Sequence, residues 1–280
     1  MKQIIFVADF FYKDFTGGAE LNDYSLIQRF RNKGVIVKEV HCKDLTIQYL
    51  KNNKELNFIV ANFVSLSPET MDYMTNNLNY IIYEHDHKYL KTRNPIFYKN
   101  FIAPSSDIVN YEFYENAKSV VCLTDLAIDV FKKNTGLENI SKMGSSVWKD
   151  EDLDYILSLS TNNKNNKFAI MDSTNPIKRT RDCVEYCQKN NIEYALIKDR
   201  NHRGFLEKLS HYKGIVFMTG HLETCSRLLV EAKMMNCKVI TQKKLIGAAS
   251  EDWFSMSGEG LVGKMREISQ NSPNVFLEAF

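Results

Sequence analysis

The chain of 280 residues lacks an excess of either charge, a long apolar run and closely paired cysteines. Its 36 basic and 34 acidic residues leave a formal charge of +2, which gives no general electrostatic case for binding nucleic acid or an anionic membrane. No stretch approaches about 18 consecutive apolar residues, and the first apolar run is too short for a signal peptide, so we expect a cytoplasmic protein without a transmembrane segment. The six cysteines include no C-x-x-C pair, which favours buried, reduced thiols.

The sequence lacks two patterns that would indicate other folds, and its alternating strand and helix segments indicate an α/β fold. No period of about 20 to 50 residues recurs, which argues against a solenoid. The pair Gly17-Gly18 does not extend to G-x-G-x-x-G, which argues against a dinucleotide fingerprint. Apolar runs alternate with amphipathic segments, and the pattern begins again after a polar stretch at 160–167. We therefore expect an α/β protein with two Rossmann-like, doubly wound parallel-sheet domains facing a cleft, residues 1–145 and 146–280, whose last helix can pack on either domain.

The predicted elements follow from the periodicity of the apolar residues. The strands are predicted at 4–8, 35–41, 58–61, 80–83, 101–103, 119–123, 168–171, 193–197, 215–218 and 238–241. The helices are predicted at 19–33, 68–76, 107–114, 125–134, 150–159, 178–190, 203–212 and 226–236, with further helix at 260–270 and 272–280.

Ligands of open α/β sheets bind beyond the carboxyl ends of the strands, so the loops after the strands are the candidate sites. After the first strand, Gly17 and Gly18 would let the backbone approach a ligand at a helix N-terminus. After the fourth comes Tyr83-Glu84-His85-Asp86-His87-Lys88, where an extended backbone would place His85 and His87 on one side and Asp86 on the other. A contact to the sugar or the acceptor, a metal site completed from elsewhere, and purely structural histidines all stay open.

Two segments of the second half have the composition of an anion site. Lys178, Arg179 and Arg181 crowd the start of a predicted helix, whose dipole disfavours cations unless an anion such as phosphate is bound. A solvated basic turn is the alternative. Further on, Glu223 and Glu231 lie eight positions apart across a predicted strand-loop-helix.

The spacing of the two glutamates suggests a ligand. If Ser226 caps the helix, the carboxylates are about 12 Å apart and the free N–H groups between them face a phosphate. Each carboxylate could then bind hydroxyls on one side of a diphosphate, which is the shape of a nucleotide sugar. Two ordinary surface glutamates are the alternative.

Together, these residues resemble the retaining, nucleotide-sugar-dependent glycosyltransferases of the GT-B fold, close to the glycosyltransferase family 4 type. The resemblance spans about residues 1–245 and rests on Gly17-Gly18-Ala19-Glu20, the loop with His85, Lys178, and the spacing of Glu223 and Glu231 before Ala232. It implies a hexosyltransferase that moves a sugar from a UDP- or GDP-sugar to a hydroxyl acceptor. The donor is then a co-substrate, and neither a metal nor another cofactor is needed. The first domain would hold the acceptor and the second the donor.

The resemblance also implies roles for single residues. Glu223 would contact the reacting side of the donor sugar, Glu231 the ribose, and Lys178 the diphosphate beside Gly17 and Gly18. His85, and with it Asp86, would touch the donor sugar. Where the family usually carries a second phosphate-binding arginine this chain has Ser173, so that charge would come from Arg179, Arg181, Arg203 or Arg227. Thr224, Cys225 and Ser226 would complete the donor-binding turn.

Rival functions and acceptors stay open at this stage. The rivals are another GT-B enzyme, such as a nucleotide-sugar epimerase or a sugar phosphorylase, and a non-catalytic nucleotide-sugar-binding module, which Ser173 favours. We expect a glycan or glycolipid acceptor first and a hydroxylated DNA base second, and weak self-association is allowed. The aromatic and basic residues that suit such acceptors are Phe10, Phe11, Tyr12, Lys13, Lys88, Lys91, Arg93 and Lys99.

Overall fold

The chain divides into two compact units. A computed structural model describes residues 2–14 and 17–280, so Met1, Phe15 and Thr16 lie outside it. One unit consists of residues 1–149 with 268–280, and the other of residues 150–267. The division falls after Lys149 rather than after residue 145, and the last residues of the chain belong to the first unit.

The described part of the first unit is built on a six-stranded parallel sheet. Its strands are β1 (Gln3–Ala8), β2 (Ile36–His41), β3 (Asn57–Val60), β4 (Asn79–Tyr83), β5 (Ser119–Cys122) and β6 (Ile140–Lys142). Its helices are α1 (Gly18–Asn32), α2 (Ile47–Asn52), α3 (Pro68–Asn77), α4 (Tyr111–Glu115) and α5 (Asp125–Thr135). The strand order is β2-β1-β3-β4-β5-β6, and every neighbouring pair is parallel. The central strands are near-continuous apolar runs because helices cover both faces of such a sheet.

The second unit has a four-stranded parallel sheet of order β10-β9-β7-β8. Its strands are β7 (Asn165–Met171), β8 (Tyr194–Ile197), β9 (Tyr212–Phe217) and β10 (Lys238–Thr241). The remaining helices are α6 (Asp150–Leu159), α7 (Thr180–Lys189), α8 (His202–Ser210), α9 (Arg227–Met234) and α10 (Gly258–Ala279). None of the helices in the described ranges is long and apolar enough to cross a membrane.

The last helix, α10, continues through Pro273 as one element instead of the two predicted segments. A proline inside a helix offers no N–H to the carbonyl four residues earlier, here that of Ser269. The hydroxyl of Ser272 donates to this carbonyl at 2.8 Å, which satisfies the acceptor. The end of α10 packs in the first unit. The ring centroid of Phe276 lies 5.8 Å from that of Phe30 and 5.2 Å from that of Tyr83.

The expected α/β architecture with two parallel sheets is confirmed, and two of the predicted elements are wrong. Residues 101–103 form no strand among the described residues, because Asn100 and Phe101 have left-handed φ values of 55° and 65° within a 3₁₀ turn. The helix predicted at 107–114 begins only at Tyr111, because Asn110 is also left-handed at φ 57°. The short helix α2 and strand β6 were not predicted.

Candidate functional site

Lys178 and Glu223 meet at the carboxyl edge of the second sheet. Lys178 follows β7 and Glu223 follows the adjacent strand β9, so parallel pairing brings their loops to the same edge. The Nζ atom of Lys178 lies 3.4 Å from Oε1 of Glu223 and 5.3 Å from the centroid of the Phe217 ring. Their side chains are 32% and 20% exposed, so both charges remain accessible to a ligand.

Backbone hydrogen bonds fix the loops that carry this pair. The N–H of Gly220 donates to the carbonyl of Ile177 at 2.8 Å, which joins the loop after β9 to the loop after β7. A Cβ atom at Gly220 would lie 3.3 Å from Nε of Arg179, so the glycine permits this close approach. On its other side, Glu223 exchanges backbone hydrogen bonds with Leu245 and Gly247. The pair therefore sits on a supported backbone rather than on a free loop.

The basic turn around Lys178 differs from the prediction. The helix α7 begins at Thr180 and not at Lys178, because Arg179 has a left-handed φ of 45°. Arg179 pairs with Asp182 at 2.9 Å, and Arg181 pairs with Glu185 at 2.8 Å. Carboxylates of the same helix thus offset these two positive charges without a bound phosphate, and Lys178 is the cation of this turn that faces Glu223.

Glu231 is buried beneath two basic side chains. Arg227, the first residue of α9, places NH2 3.5 Å from Oε1 of Glu231, and His202 places Nε2 3.0 Å from Oε2. The Glu231 side chain is 1% exposed. The negative charge of Glu231 raises the pKa of His202 above its usual value of 6.5. Ser226 occupies the N-cap position of α9 with φ 74°, but its hydroxyl makes no capping bond to the described residues, so the condition of a serine-capped helix start is met in position and not in hydrogen bonding.

The other predicted donor residues have structural partners within the second unit. Arg203 donates to Asp152 at 2.8 Å and lies 4.9 Å from the ring of Tyr155. Ser173 donates its backbone N–H to Thr180 at 3.2 Å. Thr224 and Cys225 are buried, and the carbonyl of Cys225 accepts from the N–H of Ala248 at 3.0 Å. The structure thus brings together Lys178 with Glu223, and Arg227 with Glu231, whereas Arg203 pairs elsewhere.

In the first unit, the start of α1 and the loop after β4 form a second cluster. Gly17 is the N-cap of α1, and a Cβ at Gly18 would have no heavy atom of the described residues within 4 Å; Phe15 and Thr16, which come directly before, lie outside that part of the chain. His85 places Nε2 2.7 Å from Oδ1 of Asp23 on α1, and both side chains are buried. Burial raises the pKa of Glu20 on the same helix, and the charge of Asp23 adds to this effect.

Residues 84–88 form a bend around the carboxylate of Glu84. Its Oε1 accepts the N–H of Asp86 at 2.9 Å and the ammonium of Lys88 at 3.1 Å. Lys88 also donates to Oδ1 of Asp86 at 2.8 Å. His87 has a left-handed φ of 58° and directs Nδ1 to the hydroxyl of Tyr89 at 2.9 Å, so the side-to-side alternation expected of an extended segment does not hold.

The charges of this bend are balanced inside the unit. Burial alone would raise the pKa of both carboxyls, but Lys88 lowers the pKa of Glu84, and Lys88 with Arg93 lowers that of Asp86. Burial would lower the pKa of Lys88, and the two carboxylates raise it. Asp86, predicted to touch a sugar, is therefore held by Lys88 and by Arg93.

Two residues of these clusters were missed in the sequence. Asp23 lies three positions after Glu20, on the same face of α1, which is the signal that could have found it. His202 follows β8, so the rule that selected the loops after the other strands also covers it. Across residues 2–14 and 17–280, no group of three or more His, Cys, Asp or Glu side chains could hold a metal ion.

Comparison with known proteins identifies the fold. No protein-family model matches the chain, and no curated protein matches it in sequence. HepE of Anabaena, solved with UDP-glucose, has a TM-score of 0.56 at 9% identity, with 99% of this chain and 100% of HepE covered. An alpha-glucosyltransferase solved with UDP and a 13-mer DNA has a TM-score of 0.53 at 11% identity, with 100% of this chain and 93% of that protein covered. The predicted GT-B fold, with its two Rossmann-like sheets, is confirmed.

Proposed function

We propose that the chain is a retaining glucosyltransferase that uses UDP-glucose and needs no divalent metal. The observation that carries the proposal is the Lys178–Glu223 pair, an accessible cation and carboxylate at the ligand-binding edge of the second sheet. Both solved proteins of similar fold bind UDP, and HepE was solved with UDP-glucose. We extend these ligands to this chain as part of the proposal.

The reaction breaks the bond between the anomeric carbon and the β-phosphate oxygen of the donor and forms one to the acceptor oxygen. Positive charge develops on the sugar while the departing UDP gains negative charge, so a fixed cation at the diphosphate lowers the barrier. Lys178 supplies that cation, and Glu223 accepts hydrogen bonds from the sugar hydroxyls. The acceptor proton passes to the departing phosphate oxygen on the same face of the sugar, which retains the anomeric configuration. Glu231 binds the ribose.

In the first unit, His85 is the proposed contact to the donor sugar. Asp23 accepts from Nε2–H of His85, which fixes the ring and leaves the proton off Nδ1 when the imidazole is neutral. Asp86 acts through its ion pairs with Lys88 and Arg93, which hold the loop that carries His85. Gly17 and Gly18, at the N-terminus of α1, are the proposed contacts to a phosphate or sugar oxygen.

For the acceptor, we propose a glycan or glycolipid, with a hydroxylated DNA base as the second candidate. A cavity of about 170 Å³ in the first unit suits one ring of either kind. It combines apolar walls, including Phe63 and Leu90, with the basic side chains of Lys88, Lys91 and Arg93. The ammonium of Lys88 lies 5.3 Å from the Phe63 ring centroid. The DNA candidate draws on the alpha-glucosyltransferase solved with DNA, and steep salt dependence of duplex binding would support it.

Two rival functions share this donor site. An epimerase would convert UDP-glucose into an epimeric UDP-sugar, or, if it also hydrolyses the donor, into UDP and free sugar; a non-catalytic module would bind the donor without turnover. Product analysis of a UDP-glucose reaction distinguishes all three, since only a transferase joins glucose to an acceptor.

The donor is tested by thermal unfolding with a panel of nucleotide sugars. A ligand at 100 times its Kd stabilises the folded state by about 2.7 kcal/mol, so UDP-glucose should raise the Tm clearly. GDP-glucose and glucose 1-phosphate serve as matched controls for the base and for the sugar phosphate. Stabilisation by GDP-glucose alone would show that the base is wrong, and no response to any nucleotide sugar would refute the donor proposal.

A further inference from the structure

The carboxylate proposed to bind the ribose is covered by a histidine. Glu231 is 1% exposed, whereas His202, whose Nε2 lies 3.0 Å from Oε2 of Glu231, is 31% exposed. His202 therefore lies between this carboxylate and solvent. It sits at the first position of α8, where the side chain of Asn201 caps the helix by accepting from Arg203 and Gly204.

A ribose can hydrogen-bond to Glu231 only if Arg227 or His202 releases one of the carboxylate oxygens. The two ribose hydroxyls donate hydrogen bonds, and the best acceptors for them are carboxylate oxygens that are not already committed to a cation. NH2 of Arg227, on the same helix as Glu231, lies 3.5 Å from Oε1 of that carboxylate. Nε2 of His202, on a different helix, lies closer to Oε2, at 3.0 Å. The His202 side chain is 31% exposed and that of Arg227 is 8% exposed, so of these two contacts that of His202 is the more readily exchanged for a ribose hydroxyl.

We propose that His202 is a positioning residue of the donor site: it holds the Glu231 carboxylate in the free protein and yields it to the ribose when the donor binds. The imidazolium proton on Nε2 is then released to solvent. This inference rests on the proposed function, since it needs a nucleotide whose ribose binds Glu231.

The charges around His202 fix the direction of the pH effect. Glu231 and Arg227 face it from α9, and Asp152 faces it from α6; of these, Glu231 has the largest effect and raises the pKa of His202. Two lysines on α8 and β9 have partners other than His202. Lys208 on α8 pairs with Asp199, which follows β8. The ammonium of Lys213 on β9 lies over the ring of Phe168. Loss of the Glu231 contact lowers the pKa of His202, so binding releases a proton in the pH interval between the lowered pKa of the bound state and the raised pKa of the free state, and none below or above that interval. Donor affinity must therefore rise with pH.

The test measures the Kd of UDP-glucose by calorimetry between about pH 5.5 and 8.5, in two buffers that differ in ionisation enthalpy. UDP-glucose is preferred to UDP because a terminal phosphate titrates near pH 6 and would add its own pH dependence. We expect the Kd to fall about tenfold for each unit by which binding lowers the pKa of His202. The dependence of the heat on buffer ionisation enthalpy should report proton release at pH values between the bound-state and free-state pKa of His202, and none at either end of the pH range.

Two variants separate this role from a structural one. His202→Gln keeps a donor for Glu231 but does not titrate, so its Kd should be nearly independent of pH. His211→Gln changes an exposed histidine of the same unit and should keep the wild-type slope. A flat wild-type profile, tighter binding at low pH, or an unchanged slope in His202→Gln would overturn the inference and leave the donor site standing. Failure of every variant to bind UDP-glucose at any pH would overturn the proposed function, and the inference with it.

Discussion

Replacing Lys178 by alanine is expected to slow glucose transfer from UDP-glucose about 10²- to 10³-fold, the usual cost of removing one group that stabilises developing charge. The ammonium lies 3.4 Å from Oε1 of Glu223 and the Lys178 side chain is 32% exposed, so the ammonium can move from the carboxylate to a diphosphate without unfolding its loop. The effect should fall mainly on kcat, because the charge on the leaving group is greatest in the transition state.

The rate is measured as UDP release with the acceptor on which the wild-type protein is fastest. Lys189→Ala is the matched control, since it removes an exposed lysine from the end of α7 in the same unit. We expect its kcat to equal that of the wild type. A Lys178→Ala protein that keeps its fold and turns over within about twofold of wild type would refute the assignment of Lys178 to the leaving group.

Replacing Lys88 by methionine is expected to destabilise the first unit by about 3–5 kcal/mol, because it leaves a buried carboxylate without its cation. Glu84 and Lys88 are each 2% exposed, and the same ammonium also serves Asp86. The loop that carries His85 depends on this arrangement, since Oε1 of Glu84 accepts the backbone N–H of Asp86. Loss of Lys88 should therefore weaken both the fold of the unit and donor turnover.

The unfolding of the first unit can be followed alone. The chain has two tryptophans, Trp148 in the first unit and Trp253 in the second, so a Trp253→Phe background makes fluorescence report on the first unit. Lys91→Met is the control, because Lys91 is 56% exposed and lies 3.7 Å from Asp107, a surface pair whose loss costs less than about 1 kcal/mol. Equal urea midpoints for the Lys88 and Lys91 variants would contradict the proposed role of the buried pair.

Much of the fold could be predicted because its strands are buried on both faces. Such strands are continuous apolar runs, and β1, β4 and β10 lie within one residue of their predicted bounds at each end. The segments around 101 and 110 could not be predicted, since left-handed asparagines break the chain where periodicity alone continues it.

The sequence singles out Lys178 and Glu223 because each lies in a loop after a strand, and Glu231 because it lies eight positions after Glu223; their roles stay predictions. The sequence does not show which cations are free to bind a phosphate, because that depends on their side-chain partners. Arg179, for example, pairs with Asp182 on a helix that starts two residues later than predicted. The sequence contains signals that point to Asp23 and His202, but it does not identify their partners, because His85 and Glu231 lie 62 and 29 positions away along the chain.

The position of UDP in a crystal of the protein would test the proposed donor site most directly. We predict a diphosphate oxygen within about 3.2 Å of Nζ of Lys178, and ribose hydroxyls bonded to Glu231 with His202 turned away. A nucleotide bound away from both residues, or an unliganded site with the Lys178–Glu223 pair intact at saturating UDP, would contradict the account.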